Sequence, residues 1–253
     1  MGTREAAGVV NIERLTVHYG DQVALDEVDL RVEQGTTVAV IGPNGSGKST
    51  LLAAIAGLLT PSSGTITVDR SKVALVLQST EVDRSLPITV RGTVRMARYP
   101  HRGMFRRLRA ADHAAVDSAM ARTAVDDLAR RQLHALSGGQ RQRVLVAQGL
   151  AQEAELLLLD EPVTGLDIVS RDVILDVIQQ EKAAGRSVVM TTHSLEEAAR
   201  CDLVVLLATR VVAAGPPAEV IVAEHLNAAF DTRVVQLPSG QLILDDPHHH
   251  VVR

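Results

Sequence analysis

The sequence has no tryptophan, and its aromatic side chains number four, Tyr19, Tyr99, Phe105 and Phe230, in 253 residues. The core must therefore be built from aliphatic groups, and an exposed aromatic would be noticeable. One cysteine, Cys201, leaves no intrachain disulfide partner, which fits a reducing, cytosolic setting. No apolar run nears the roughly 20 residues that cross a bilayer. Runs such as residues 156–159 and 203–208 fall far short of that, so the chain is not expected to span a membrane by itself. Its first eight residues, Met-Gly-Thr-Arg-Glu-Ala-Ala-Gly, lack the apolar core of a signal peptide. Excess positive charge is absent too: 26 Lys+Arg against 30 Asp+Glu give a net charge of -4, so no nucleic-acid partner is expected. Lysine is scarce, at Lys48, Lys72 and Lys182 only. What remains is ample apolar content, 46%, enough for a full core and incompatible with a disordered chain.

Alternating patterns at residues 9–19 and 24–32, separated by Gly20-Asp21, predict two strands of an antiparallel flap. Residues 37–41 then form a β-rich apolar run, followed by a Gly-rich turn, a helix-forming stretch over 48–58 and a turn over 61–64. Apolar runs at 73–77, 156–159, 187–191 and 203–207 alternate with helical patterns, as in an α/β fold whose mainly parallel sheet is covered on both faces. Between Gln78 and Leu136 the strand signal stops, and residues 110–124 and 125–131 carry helical spacing, predicting an inserted helical lobe. Residues 234–237 and 241–244 predict a hairpin about Ser239-Gly240.

Gly42-Pro43-Asn44-Gly45-Ser46-Gly47-Lys48-Ser49 matches the phosphate-loop spacing and lies between a predicted strand and helix. Glycines let backbone N–H groups wrap phosphate oxygens, and the helix N-terminus favours an anion. Lys48 supplies charge at the β- and γ-phosphates, Ser49 offers a hydroxyl to Mg²⁺, and Thr50 completes the loop's exit. The run of four leucines at 156–159 ends in Asp160-Glu161. Asp160 suits the Mg²⁺ shell, and Glu161 suits a base that orients and deprotonates water for in-line attack.

Leu136-Ser137-Gly138-Gly139-Gln140, followed by Arg141-Gln142-Arg143, resembles the signature of ABC-transporter ATPases. The resemblance covers about residues 9–225. It implies a P-loop NTPase core with a mainly parallel sheet, an N-terminal antiparallel flap and an inserted helical subdomain. The ATPase domain is then expected over 1–230, with the helical subdomain at about 88–150 and a hairpin and tail over 231–253.

It also implies roles for single residues. Tyr19 matches the aromatic that stacks on adenine, although a core tyrosine is the plain alternative. Gln78 matches the glutamine loop, whose amide touches Mg²⁺ or the attacking water, against a bland polar strand end. His193 matches the switch histidine that bonds the γ-phosphate, where an ordinary surface histidine is the alternative. Asp167 lies in Thr164-Gly165-Leu166-Asp167, the counterpart of the family's D-loop, in a variant resembling that of metal importers. Ser137, Gly138, Gly139 and Gln140 open a helix running to residue 151 and form a second anion-seeking N-terminus. In the family two subunits pack head to tail, so this signature closes on the ATP of a partner.

The resemblance implies ATP with Mg²⁺, separate integral-membrane permease chains, an extracytoplasmic solute-binding protein acting through them, and a place at the cytoplasmic membrane face. The stretch from Gln78 to Val90 and Arg98-Tyr99-Pro100-His101-Arg102-Gly103 resemble the manganese and zinc importer branch. Residues 98–109 hold five arginines and no acid, a plausible partner or lipid contact beside the plain reading of a solvated loop. His248-His249-His250 beside Asp245 and Asp246 is read as a tail rather than a metal site.

Rival readings are an exporter, a carrier of another substrate, a soluble ABC-type ATPase or a small-molecule P-loop kinase. Residues 79–135 are too short for the coiled coil of DNA-repair members, and a single P-loop excludes the two-unit translation members. An iron-sulfur assembly factor fits the size. A kinase would lack the signature.

Overall fold

The computed structural model describes residues 8–78, 87–102, 107–230, 234–236 and 242–244. In chain order these contain β1 (Gly8–Tyr19), β2 (Gln22–Glu33), β3 (Thr37–Ile41), α1 (Lys48–Ile55), β4 (Ser63–Thr67) and β5 (Val73–Val76). Next come α2 (Val90–Met96), α3 (Tyr99–Arg102), α4 (Ala110–Arg122), α5 (Gly138–Leu150), β6 (Leu156–Leu159) and α6 (Ile168–Ala183). The remainder is β7 (Ser187–Thr191), α7 (Leu195–Ala198), β8 (Leu203–Ala208), β9 (Arg210–Gly215), α8 (Pro217–Val220), α9 (Ala223–Ala229), β10 (Val234–Gln236) and β11 (Leu242–Leu244). The chain divides into two compact units, 1–68 with 189–253, and 69–188.

In the first unit, β1 pairs antiparallel with β2 on one side and β4 on the other. Their alternating burial puts Val10, Ile12, Leu15 and Val17 of β1 and Val28, Leu30 and Val32 of β2 into the interior. The flap therefore has a third strand where the sequence predicts only a turn. β4 reads Ser-Gly-Thr-Ile-Thr and is largely exposed, so it carries no hydrophobic alternation to announce it. Gly64 is required there: at φ 84 a Cβ would stand 2.3 Å from the Arg14 carbonyl oxygen.

The other sheet strands of this unit run β7-β3-β8-β9. All five residues of β3 and of β7 are buried, the unbroken apolar signature of strands covered on both faces. β8 lies parallel to β3, with Val38 opposite Leu203 and Ile41 opposite Leu206. Asp202 locks the start of that pair, accepting from the Thr37 N–H and hydroxyl, each at 2.9 Å. β9 returns antiparallel along β8 through a tight turn at Thr209. β10 and β11 form the expected hairpin ladder, while Ser239-Gly240 and His248-His249-His250 lie outside the described residues.

In the second unit, β5 and β6 are parallel, with Val73 opposite Leu156 and Val76 opposite Leu159. Described residues 87–135 contain helices and turns and no strand beyond an isolated Thr89–Gln132 bridge, as an inserted helical lobe requires. The lobe is less helical than predicted. Residues 125–131 are turns, because α4 stops at Arg122 and Ala124 takes φ 50. Arg143 of α5 then donates to the Thr123 and Ala124 carbonyls at 3.1 and 2.5 Å, satisfying a helix end. Similarly, α1 ends at Ile55 rather than at 58, with Gly57 at φ 75 turning the chain.

The arginine-rich stretch is not wholly a surface feature. Arg98 is 8% exposed. It donates to Asp112 at 3.1 Å and to Glu153 and the Ala151 carbonyl at 2.8 Å each, so it ties α4 to the end of α5. Residues 79–86 and 103–106, which carry much of the importer-like sequence, lie outside the described residues.

Candidate functional site

The first unit holds the phosphate loop. β3 delivers the chain into the loop, and α1 leaves it from Gly47, which has φ 96 and makes no side-chain cap. The positive end of the α1 dipole thus faces the loop, which favours an anion there. Two glycines are dictated by close approach. A Cβ on Gly42 would stand 2.0 Å from the Leu207 carbonyl oxygen, and one on Gly47 would stand 2.4 Å from that of Ala24. β8 and β2 therefore press the loop from behind, leaving room only for backbone.

Lys48 is buried, its ammonium donating to the Gly42 and Pro43 carbonyls at 2.9 Å each, so the charge is held against the loop. Ser46 is 4% exposed, and its Oγ has no hydrogen-bond partner among the described residues. A buried hydroxyl without a partner, in a cradle that excludes Cβ atoms, fits phosphate oxygens. Asn44, Gly45 and Ser49 are exposed, and Thr50 is half-buried.

A residue that sequence reasoning missed supports this loop. Thr209 adopts φ 64, an uncommon conformation for a β-branched residue. In it, the Thr209 N–H donates to the Ser46 carbonyl and the Thr209 carbonyl accepts from the Asp26 N–H, both at 3.0 Å. Only the Ala208-Thr209-Arg210 turn, invisible to periodicity, could have disclosed it. Tyr19 ends β1 at 57% exposure, so it is a presented ring and not a core side chain. His193 is exposed on the loop after β7, and the Thr192 N–H donates to the Val40 carbonyl of β3 at 3.1 Å.

The second unit holds the acids and the signature. The Asp160 N–H donates to the Val76 carbonyl at 2.9 Å, extending the β5–β6 register to the carboxylates. Asp160 is buried, and Glu161 is half-buried with φ 46. A glutamate in the left-handed region is strained, a common mark of a functional position that periodicity does not reveal. Gln78, just past β5, is exposed. The Asp160 carboxylate and the Gln78 amide in this unit, and the Ser49 hydroxyl in the first, are each hard oxygen donors, the donor type Mg²⁺ takes.

Ser137 and Gln140 form a reciprocal capping box at the start of α5. The Ser137 Oγ accepts from the Gln140 N–H and the Gln140 Oε1 accepts from the Ser137 N–H, both at 3.2 Å. A Cβ on Gly138 would meet nothing within 4 Å, whereas one on Gly139 would stand 2.5 Å from both the Asp167 Oδ2 and the Ser170 Oγ. The structure thus brings the signature and Asp167 together. Asp167 caps α6, accepting from the Ser170 N–H at 2.9 Å. Hydrogen bonds from the Ser170 backbone and then its hydroxyl hold the Asp167 carboxyl below the usual range. Beside Gln78 opens a cavity of about 340 Å³ lined by Leu75, Leu77, Arg141, Leu145, Gln148 and Gln152 among others.

The ABC transporter family model matches residues 25–164, which takes in the phosphate loop, the signature and both carboxylates. The chain belongs to the ABC transporter family. It is 35% identical, over 91% of its own length and 100% of the relative's, to a manganese transport system ATP-binding protein of Listeria innocua. It is 41% identical to a hemin import ATP-binding protein of Streptomyces coelicolor, covering 88% of this chain and 84% of that one. Among solved structures it is similar to a dimeric ATP-binding cassette in a post-hydrolysis state bound to ADP and Pi, with TM-score 0.73, 25% identity and coverage of 82% and 98%. This ABC protein is an ATPase that takes ATP with Mg²⁺. No helix among the described residues is long and apolar enough to cross a membrane.

Proposed function

We propose that this ATPase drives import of manganese through separate permease chains, from the cytoplasmic face, with an extracytoplasmic binding protein delivering the ion. The observation that carries the substrate is the similarity to the Listeria manganese ATP-binding protein along that protein's whole length.

In the proposed cycle the backbone of residues 42–47 and the ammonium of Lys48 hold the β- and γ-phosphates, while the Tyr19 ring stacks on adenine. Mg²⁺, when bound, neutralises charge developing on the phosphates. Ser49, Asp160 and Gln78 hold that ion. The Glu161 carboxylate orients and deprotonates the attacking water, and His193 donates to the γ-phosphate side. The N-terminus of α5, at Ser137, Gly138, Gly139 and Gln140, closes on the ATP of a second copy, with Asp167 at its back. The cavity beside Gln78 receives a permease helix, so the glutamine senses nucleotide on one side and partner on the other.

A second reading has its own support: the hemin import relative is more identical, at 41%, which favours a metal chelate as cargo. One experiment separates them. Source cells starved of metal and carrying normal protein or Lys48→Ala are compared by mass spectrometry of total metals and by growth on hemin as sole iron source. A selective fall in manganese supports the first reading, and loss of hemin-dependent growth with manganese unchanged overturns it in favour of the second.

A further inference from the structure

Glu197 is a buried carboxylate, 5% exposed, that the proposed cycle does not use. It sits one helical turn beyond His193, on the four-residue helix α7, and closes a ring of hydrogen bonds around that histidine. The Thr192 hydroxyl donates to the Glu197 Oε2 at 2.5 Å. The same hydroxyl oxygen accepts from the Ser194 N–H at 3.0 Å. The Ser194 Oγ in turn accepts from the Glu197 N–H at 3.3 Å. The two neighbours of His193 are thereby tied to Glu197, Thr192 through its carboxylate and Ser194 through its backbone N–H, and Thr192 is further anchored on β3 through the Val40 carbonyl.

The histidine itself stays exposed. A short helix with a marginal propensity of its own cannot hold an exposed side chain in one place. The ring supplies a constraint, because losing a charge-assisted hydrogen bond between the buried Thr192 hydroxyl and the Glu197 carboxylate is costly. An exposed functional side chain borne by a loop with a buried, fully paired support is how a reacting group is held in position.

We propose that Glu197, acting through Thr192, is a positioning residue that sets His193 for ATP hydrolysis. The inference rests on the reading of His193 as the group at the γ-phosphate side. It assigns to the pair a function beyond stability, since the loop they fix begins at the end of the strand next to the phosphate-loop strand.

Steady-state ATP hydrolysis by the full chain tests it, with KM and kcat measured separately and melting temperature recorded for every variant. Glu197→Ala and Thr192→Val are each expected to lower kcat by about tenfold while the KM for ATP stays within about twofold. Glu197→Gln keeps an acceptor for the Thr192 hydroxyl and is expected to restore most of kcat; Thr192→Ser does so from the other side and serves if Glu197→Ala fails to fold. In a His193→Ala background, Glu197→Ala and Thr192→Val are expected to add no further loss. An equal loss in that background, or kcat untouched by Glu197→Ala and Thr192→Val while His193→Ala is slow, overturns the positioning role alone. Full turnover by His193→Ala overturns the reading of His193 and the proposal with it.

Discussion

Glu161 carries two costs at once, a carboxylate at the end of an apolar strand and a left-handed backbone. Strain of that kind costs about 1 to 3 kcal/mol and persists only when the surroundings impose it. Glu161→Gln keeps the shape and removes the base, so ATP binding should survive while kcat falls by about a hundredfold or more. Glu161→Gly should also lose turnover, yet melt at a higher temperature than Glu161→Gln, because glycine adopts φ 46 without a Cβ penalty. Equal melting temperatures would show that the backbone there is not strained. The phosphate loop and the paired acids were legible from spacing alone. The φ of Glu161, the Thr209 support and the Glu197 ring were not, since each depends on where distant segments meet rather than on any local pattern.

At the scale of elements, hydrogen-bonded caps and buried ion pairs decide where helices begin and how they dock. Asp167 caps α6 with its carboxyl held below the ordinary range, so its contribution is present above the unfolded pKa, about 4, and is lost as pH falls through the lower folded value. The stability gap between the normal protein and Asp167→Ala, read from denaturant melts, should be constant near neutrality and close only in strong acid. A gap that closed near neutral pH would contradict the assignment.

Glu181 of α6 is buried and paired with Arg122 of α4 at 2.7 Å and with Arg186 at 2.9 Å. Glu181→Ala removes a buried carboxylate from two guanidinium groups that keep partial contact with solvent and should cost about 1 to 3 kcal/mol, whereas loss of a surface pair costs under about 1. Chemical denaturation of the two kinds of variant checks the difference. Strands with continuous apolar runs, β3, β6 and β7, were predicted correctly because burial on both faces leaves its mark on every residue. β4 is exposed and β9 only half-buried, so neither left such a mark. Residues 125–131 kept helical spacing without a helix because their carbonyl neighbours are capped by an arginine from elsewhere in the chain.

For the whole molecule, pairing of two copies is the event that makes ATP binding do work. A side chain at Gly138 would collide with nothing in its own chain. Gly138→Asp should therefore fold with an unchanged melt, yet place a negative charge where the partner's ATP arrives. In sedimentation with ATP, Glu161→Gln is expected at twice the monomer mass, and adding Gly138→Asp should return it to monomer. Persistence of the dimer would remove the signature from the pairing surface.

The Leu207 carbonyl that backs Gly42 belongs to a strand that follows the phosphate loop by more than 150 residues in the chain. A nascent chain that carries the whole glycine-rich motif still lacks the wall behind it, and lacks Thr209 to hold its Ser46 carbonyl. The motif alone is thus not enough for nucleotide capture, which also needs β8 in place. A fragment truncated before β8 is therefore expected to bind ATP poorly despite an intact motif, which nucleotide titration of that fragment checks.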